Sequence, residues 1–146
     1  MQVKSTIWGA CALLALTATA IPVVAQAQRP SSTQQTSVQT KESFTEARFL
    51  ELQKTGALIL VDIWAEWCPT CAQQQKVLTA FRAENPNVPF HTLTVDFDRQ
   101  KEWVKKFAAP RQSTLILYRG EKQIWFSVAE TRADRITSQI LAAAGS

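Results

Sequence analysis

The sequence predicts an α/β domain with a central mixed sheet of four to five strands and helices on both faces. Three observations carry that expectation. Apolar segments of strand length alternate with helical patterns through most of the chain, and such alternation implies a parallel core. The run "ALILVDIW", residues 57–64, is nearly continuously apolar, as expected of a strand covered on both sides. Two further strand-like segments, 113–119 and 123–129, flank a turn at Gly120 and read as a closing hairpin.

Taken in order, a short edge strand is expected around Phe44. A helix over 46–54 follows, capped by Thr45 or Ser43, with Ala47, Phe49, Leu50 and Leu52 as its apolar positions and Gly56 ending it. After the buried strand 57–64, a helical pattern runs from Cys71 to Asn85 through Val77, Leu78 and Phe81. "PFHTLTVDF", 89–97, alternates as a strand does. An amphipathic helix over 99–109 places Trp103 and Phe107 at i, i+4. After the hairpin, Thr131-x-x-Asp134 opens a last helix carrying Ile136, Ile140 and Leu141. No internal repeat is visible.

The N-terminal part is read separately. Residues 1–27 have one positive charge at Lys4, a small-and-apolar stretch, and Ala25-Gln26-Ala27 as a cleavage signal, the pattern of a secretory signal peptide. Residues 28–41 are rich in Ser, Thr and Gln and cannot bury enough apolar surface to offset their ordering, so they read as a flexible tether. Residues 42–146 form the one folded domain. The expected location is the bacterial periplasm, after cleavage near Ala27. Net charge is +4, and losing residues 1–27 removes only Lys4. The basic residues are scattered, and the one cluster, Lys101, Lys105 and Lys106, fits a solvated helix face. No stripe of Lys/Arg interleaves with aromatics, which argues against nucleic-acid binding.

Cys11 leaves with the signal peptide, so Cys68 and Cys71 are the only cysteines of the mature chain. A bridge across so short a loop removes little chain entropy, so the pair points to chemistry rather than to stapling. Cys68 falls where a buried strand gives way to a helix. Unpaired backbone N–H groups and the helix dipole there favour a thiolate, the nucleophilic form. Pro69 in the first turn costs little. Cys71, one turn in, is expected to be better buried and to keep a higher pKa. The pair therefore reads as an attacking and a resolving thiol acting through a mixed disulfide. Asp62, in the middle of the apolar strand, then has a role: with its pKa raised by desolvation, it can take the proton that Cys71 must lose.

"ILVDIWAEWCPTC" resembles the active-site segment of the thioredoxin family, in which a strand bearing an aspartate leads into W-A-x-W-C-x-x-C. The order of elements over residues 42–146 is similar too. The resemblance implies a thioredoxin-like fold, a redox-active Cys68–Cys71 disulfide, thiol–disulfide exchange with protein substrates, and no cofactor or metal. It implies a substrate surface at Trp67, Pro69, Thr70, Gln112, Ser113 and Thr114, with Trp64 packed beneath the motif. A reductant in an oxidising compartment needs a membrane or periplasmic redox partner to supply electrons, and a monomeric chain is expected. Cys-Pro-Thr-Cys is similar to exported thioredoxin-like proteins that reduce apocytochrome c cysteines, but no glycine-rich insertion of that group is recognisable.

Departures from the family pattern are equally specific. Ser113 stands where the family has a cis-proline before a T-L-L-L-F strand, so the Gln112–Ser113 bond is either trans in a reshaped loop or cis and strained, a non-proline cis bond costing about 2.5–4 kcal/mol. On the second alternative, Ser113→Pro should stabilise the loop. Arg111 and Gln112 are polar where the family has small, apolar residues. Thr94 replaces the lysine beside the buried aspartate, so Asp62 should titrate even higher. Ala129 falls where a glycine lines the substrate groove. Two other readings stay open: a Cu(I)- or Zn(II)-binding protein using both thiolates, for which His91 is the only histidine available, and a binding module with an incidental disulfide. Within the first reading, the carboxylate and the tryptophans favour a reductase over an oxidant.

Overall fold

A computed structural model describes residues 39–145. Its elements run β1 (Gln39–Ser43), α1 (Glu46–Lys54), β2 (Leu58–Trp64), α2 (Pro69–Glu84), β3 (Phe90–Asp96), α3 (Lys101–Lys106), β4 (Thr114–Arg119), β5 (Lys122–Val128) and α4 (Ala133–Ala144). They form one five-stranded sheet of order β1-β3-β2-β4-β5. β1, β3 and β2 are parallel, and β4 and β5 are antiparallel to their neighbours. The expected mixed sheet is therefore present, with its most apolar strand at the centre. The segments expected to be a signal peptide and most of a tether lie outside the described residues.

Leu58 to Ile63 are all buried, as a central strand requires. Alternation sends Ile59, Val61 and Ile63 to the face covered by α1 and α3, and Leu58 and Leu60 to the face under α2 and α4. Each buried Leu or Ile contributes about 1.5–3 kcal/mol. α1 starts where expected, with the Thr45 hydroxyl accepting from Arg48 N–H. β4 and β5 are joined across Gly120 and Glu121. Gly120 has φ +56°, and a Cβ there would lie 3.2 Å from the Gln53 carbonyl oxygen, so glycine is favoured at this turn.

Three expectations need correction. The edge strand lies just before Phe44 rather than around it, and Gln39, Thr40 and Lys41, assigned to the tether on composition, are its first residues. Polar side chains suit an edge strand, so composition alone could not separate it from the tether. The helix expected over 99–109 covers only Lys101–Lys106, because Ala108 takes φ +50° and turns the chain. The Thr131-x-x-Asp134 cap does not form: α4 has Arg132 at its N-cap without a side-chain cap bond, and the Glu130 carboxylate accepts from Thr131 and Arg132 N–H instead.

Candidate active site

β2 ends at Trp64, and four residues later the chain enters α2. Cys68 is the N-cap of that helix, and its Sγ accepts from Cys71 N–H at 3.1 Å. Pro69 occupies the first helical position, where its missing N–H costs nothing. Cys68 and Cys71 are joined in a disulfide with Cα atoms 5.3 Å apart. Cys71 is fully buried, and Cys68 is 3 % exposed at the surface edge of the same small cluster, against which Trp64 and Phe97 pack. Trp67, 61 % exposed beside Cys68, is held by an Nε1–H bond to Asp98 Oδ2 at 2.7 Å.

Asp62 is fully buried under α2. Its Oδ2 accepts from Gln75 Nε2 at 2.6 Å, and Gln75 lies one turn beyond Cys71 on the same helix. Its Oδ1 is buried with no hydrogen-bond partner among the described residues. Burial pushes the carboxyl up to about 6, while Lys41, the Gln75 bond and Arg82 pull it down. Lys41 reaches the site from β1, its Nζ donating to Gln75 Oε1. The Gln75 amide thus turns its oxygen to the cation and its NH2 group to the anion. Thr94 pairs with Asp62 in register and supplies no charge, and Lys41 provides one from β1 at the sheet edge.

The loop before β4 closes the site from the other side. There are no cis peptide bonds among the described residues, so Gln112–Ser113 is trans, and Ser113 has φ +62°. Its N–H donates to the Ile63 carbonyl at 2.8 Å. Its carbonyl accepts from Ala129 N–H at 2.8 Å and from Gln74 Nε2 at 3.1 Å. Gln74 also donates to the Glu130 carbonyl, tying α2 to both loops. The Ser113 hydroxyl lies 3.0 Å from Cys68 Sγ and 3.2 Å from Cys71 Sγ.

Comparison with known proteins agrees with this geometry. The Thioredoxin family model matches residues 35–142. The chain belongs to the thioredoxin family. A thioredoxin of Chlamydia trachomatis is 34% identical over 85 residues, covering 58% of this chain and 81% of that protein. Among solved structures, Trxlp from Edwardsiella tarda superposes with a TM-score of 0.64 at 34% identity, covering 69% of this chain and 97% of that one. Thioredoxin NaTrxh from Nicotiana alata, at 23% identity and TM-score 0.60, covers 76% of this chain and 96% of that one and shows the shared fold. Members of the family are thiol–disulfide oxidoreductases acting on protein thiols, and Cys68–Cys71 gives this chain the redox pair for that chemistry.

Within the thioredoxin frame, the expected substrate residues divide. Trp67 and Pro69 are exposed at the disulfide, with Thr70 and Gln112 half-buried. Ser113 and Thr114 are fully buried, and Thr114 Oγ1 donates to the Arg111 carbonyl at 2.7 Å. The side chains of both are thus used inside the protein. The expectation that Ser113→Pro would stabilise the loop fails: proline fixes φ near −65° and lacks the N–H that Ser113 gives to Ile63. Ala129 donates its N–H to the Ser113 carbonyl and has φ +55°, a conformation that favours glycine. The His91 ring is engaged by Thr40, whose Oγ1 lies 2.9 Å from its Nδ1. Among the described residues no group of three or more His, Cys, Asp or Glu side chains is placed to hold a metal ion.

Sequence reasoning missed Lys41, Gln74 and Gln75. A signal was available for the glutamines, which stand three and four residues after Cys71 and so share its helix face.

Proposed function

We propose that the chain is an exported disulfide reductase. Cys68 attacks a disulfide in a protein substrate and Cys71 resolves the mixed disulfide. Asp62 takes the proton of Cys71 as it attacks. The observation that carries this reading is the buried Asp62 carboxyl, raised to about 6 and held by the helix that bears Cys71. Such a group is mostly ionised at neutral pH yet basic enough to accept a thiol proton. Its negative charge in a buried site also disfavours thiolates nearby, which favours the disulfide form and makes the dithiol the stronger reductant.

Export rests on residues 1–27, whose charged start, apolar stretch and Ala25-Gln26-Ala27 support a cleaved signal peptide and a periplasmic location. In an oxidising compartment the dithiol must be regenerated, so the reading calls for a membrane or periplasmic electron donor. Equilibration with glutathione buffers, read through tryptophan fluorescence, tests the direction. A potential near thioredoxin's, about −270 mV, is expected, and one near about −120 mV makes the protein a disulfide donor instead. The N-terminal residue of the protein recovered from the periplasmic fraction tests export, with Gln28 expected first.

A further inference from the structure

We propose that the Ser113 hydroxyl is a third member of the redox centre. It donates a hydrogen bond to the Cys68 sulfur when the disulfide opens, and so sets the acidity of that thiol and the potential of the pair. The proposal rests on the thiol–disulfide chemistry above but not on its direction.

The geometry is specific. Ser113 is fully buried, and its Oγ lies within hydrogen-bond distance of both sulfurs, at 3.0 Å from Cys68 and 3.2 Å from Cys71. Its position is fixed by three other bonds, from its own N–H to Ile63 and to its carbonyl from Ala129 and Gln74. Those bonds hold the residue at φ +62°, a conformation costly for a residue with a Cβ. A buried hydroxyl needs a partner, and here the sulfurs supply it.

The strength of that bond depends on redox state. A disulfide sulfur is a weak acceptor, whereas a thiolate is charged, and hydrogen bonds to charged acceptors are roughly twice as strong as neutral ones. Reduction takes two electrons and breaks the S–S bond. If Cys68 is left as a thiolate, one proton is also taken up, by Cys71. The hydroxyl therefore favours the reduced state over the oxidised one, and the Cys68 thiolate over its thiol. It opposes Asp62, whose charge favours the disulfide. At the family's proline position a ring has no hydroxyl to offer, so the substitution changes the chemistry of the site as well as its loop.

The decisive variant is Ser113→Gly, because glycine accepts φ +62° and keeps the backbone bonds while removing the hydroxyl. Ser113→Ala serves as a second variant. The full chain is equilibrated with reduced and oxidised glutathione across pH, and Cys68 ionisation is followed by thiolate absorbance near 240 nm. Both variants are expected to shift the equilibrium about tenfold toward the disulfide, roughly 30 mV more negative, and to raise the Cys68 pKa. The shift in potential should disappear below that pKa, where the sulfur is a neutral thiol in every protein. A purely structural role would not produce that pH dependence. Unchanged Cys68 acidity and potential in Ser113→Gly overturn the role of Ser113 and leave the redox reading intact. A wild-type pair that does not exchange with glutathione at all overturns both.

Discussion

The two faces of the sheet are built differently. Under α1 and α3 the core is aromatic: Phe44 meets Trp103 at 4.7 Å between ring centres, and Phe107 stacks edge-on against both Phe44 and Phe49 at 5.4 Å. Under α2 the sheet instead buries the Asp62 carboxyl against Gln75, with Arg82 reaching Thr92 beside it. The first face is what burial of apolar area selects. The second keeps a carboxyl whose desolvation opposes folding. Both faces carry a buried apolar cluster that stabilises the fold, and the second also bears the cost of the buried Asp62 carboxyl.

The sharpest way to separate the faces is at the sulfurs. Cys68→Ser should reduce protein-disulfide turnover to background, and Cys71→Ser should accumulate mixed disulfides visible on non-reducing gels. Normal turnover by Cys71→Ser means that the two-thiol mechanism is wrong. The converse change is Phe107→Ala on the aromatic face, expected to cost about 3–5 kcal/mol in denaturant unfolding. The reduction potential of the folded variant should stay that of the wild type. A shifted potential would show that the two faces are coupled.

Asp62→Asn should do the opposite to stability. The folded carboxyl titrates at about 6, against 3.8 for the unperturbed group. A raised folded pKa means that the neutral form is favoured in the fold, so this contribution to stability is present below about pH 4 and lost as pH rises through 6. Relative to wild type, Asp62→Asn is expected to be more stable by about 3 kcal/mol at pH 7, and the difference should vanish near pH 4. Thermal unfolding at the two pH values checks this. The same variant should resolve mixed disulfides more slowly at neutral pH, and an unchanged pH–rate profile would remove Asp62 from the mechanism.

What could be read in advance follows the range of the interactions. β2, the start of α2 and the cysteine pair are local: an apolar run, a proline at the first helical position and a two-residue spacing sit within one short segment. Asp62 was legible because a carboxylate in such a run has to be explained. The role of Lys41 was not, because it depends on β1 pairing in parallel with β3, where Lys41 matches Thr92 about fifty residues away. The contact of Ser113 with the sulfurs was equally hidden, since it requires a left-handed residue that sequence patterns assign to glycine or asparagine. Gln74 and Gln75 sit in a run of three glutamines that reads as a solvated helix face.

The smallest expected effect is at Lys41, and it asks how far the polar face extends. Lys41 is an exposed residue on the edge strand, yet it acts on Asp62 both through its field and through the Gln75 amide it holds in place. Lys41→Met keeps the length and apolar stem of the side chain while removing the charge. The Asp62 titration should move upward, and the acid limb of the pH–rate profile should follow it. Because the lysine lies at the surface, salt should weaken its influence. Wild type at high ionic strength should therefore approach the variant, while the variant itself should respond little to salt. If Lys41→Met leaves both the titration and its salt dependence unchanged, the polar face ends at Gln75 and the edge strand plays no part in setting the base.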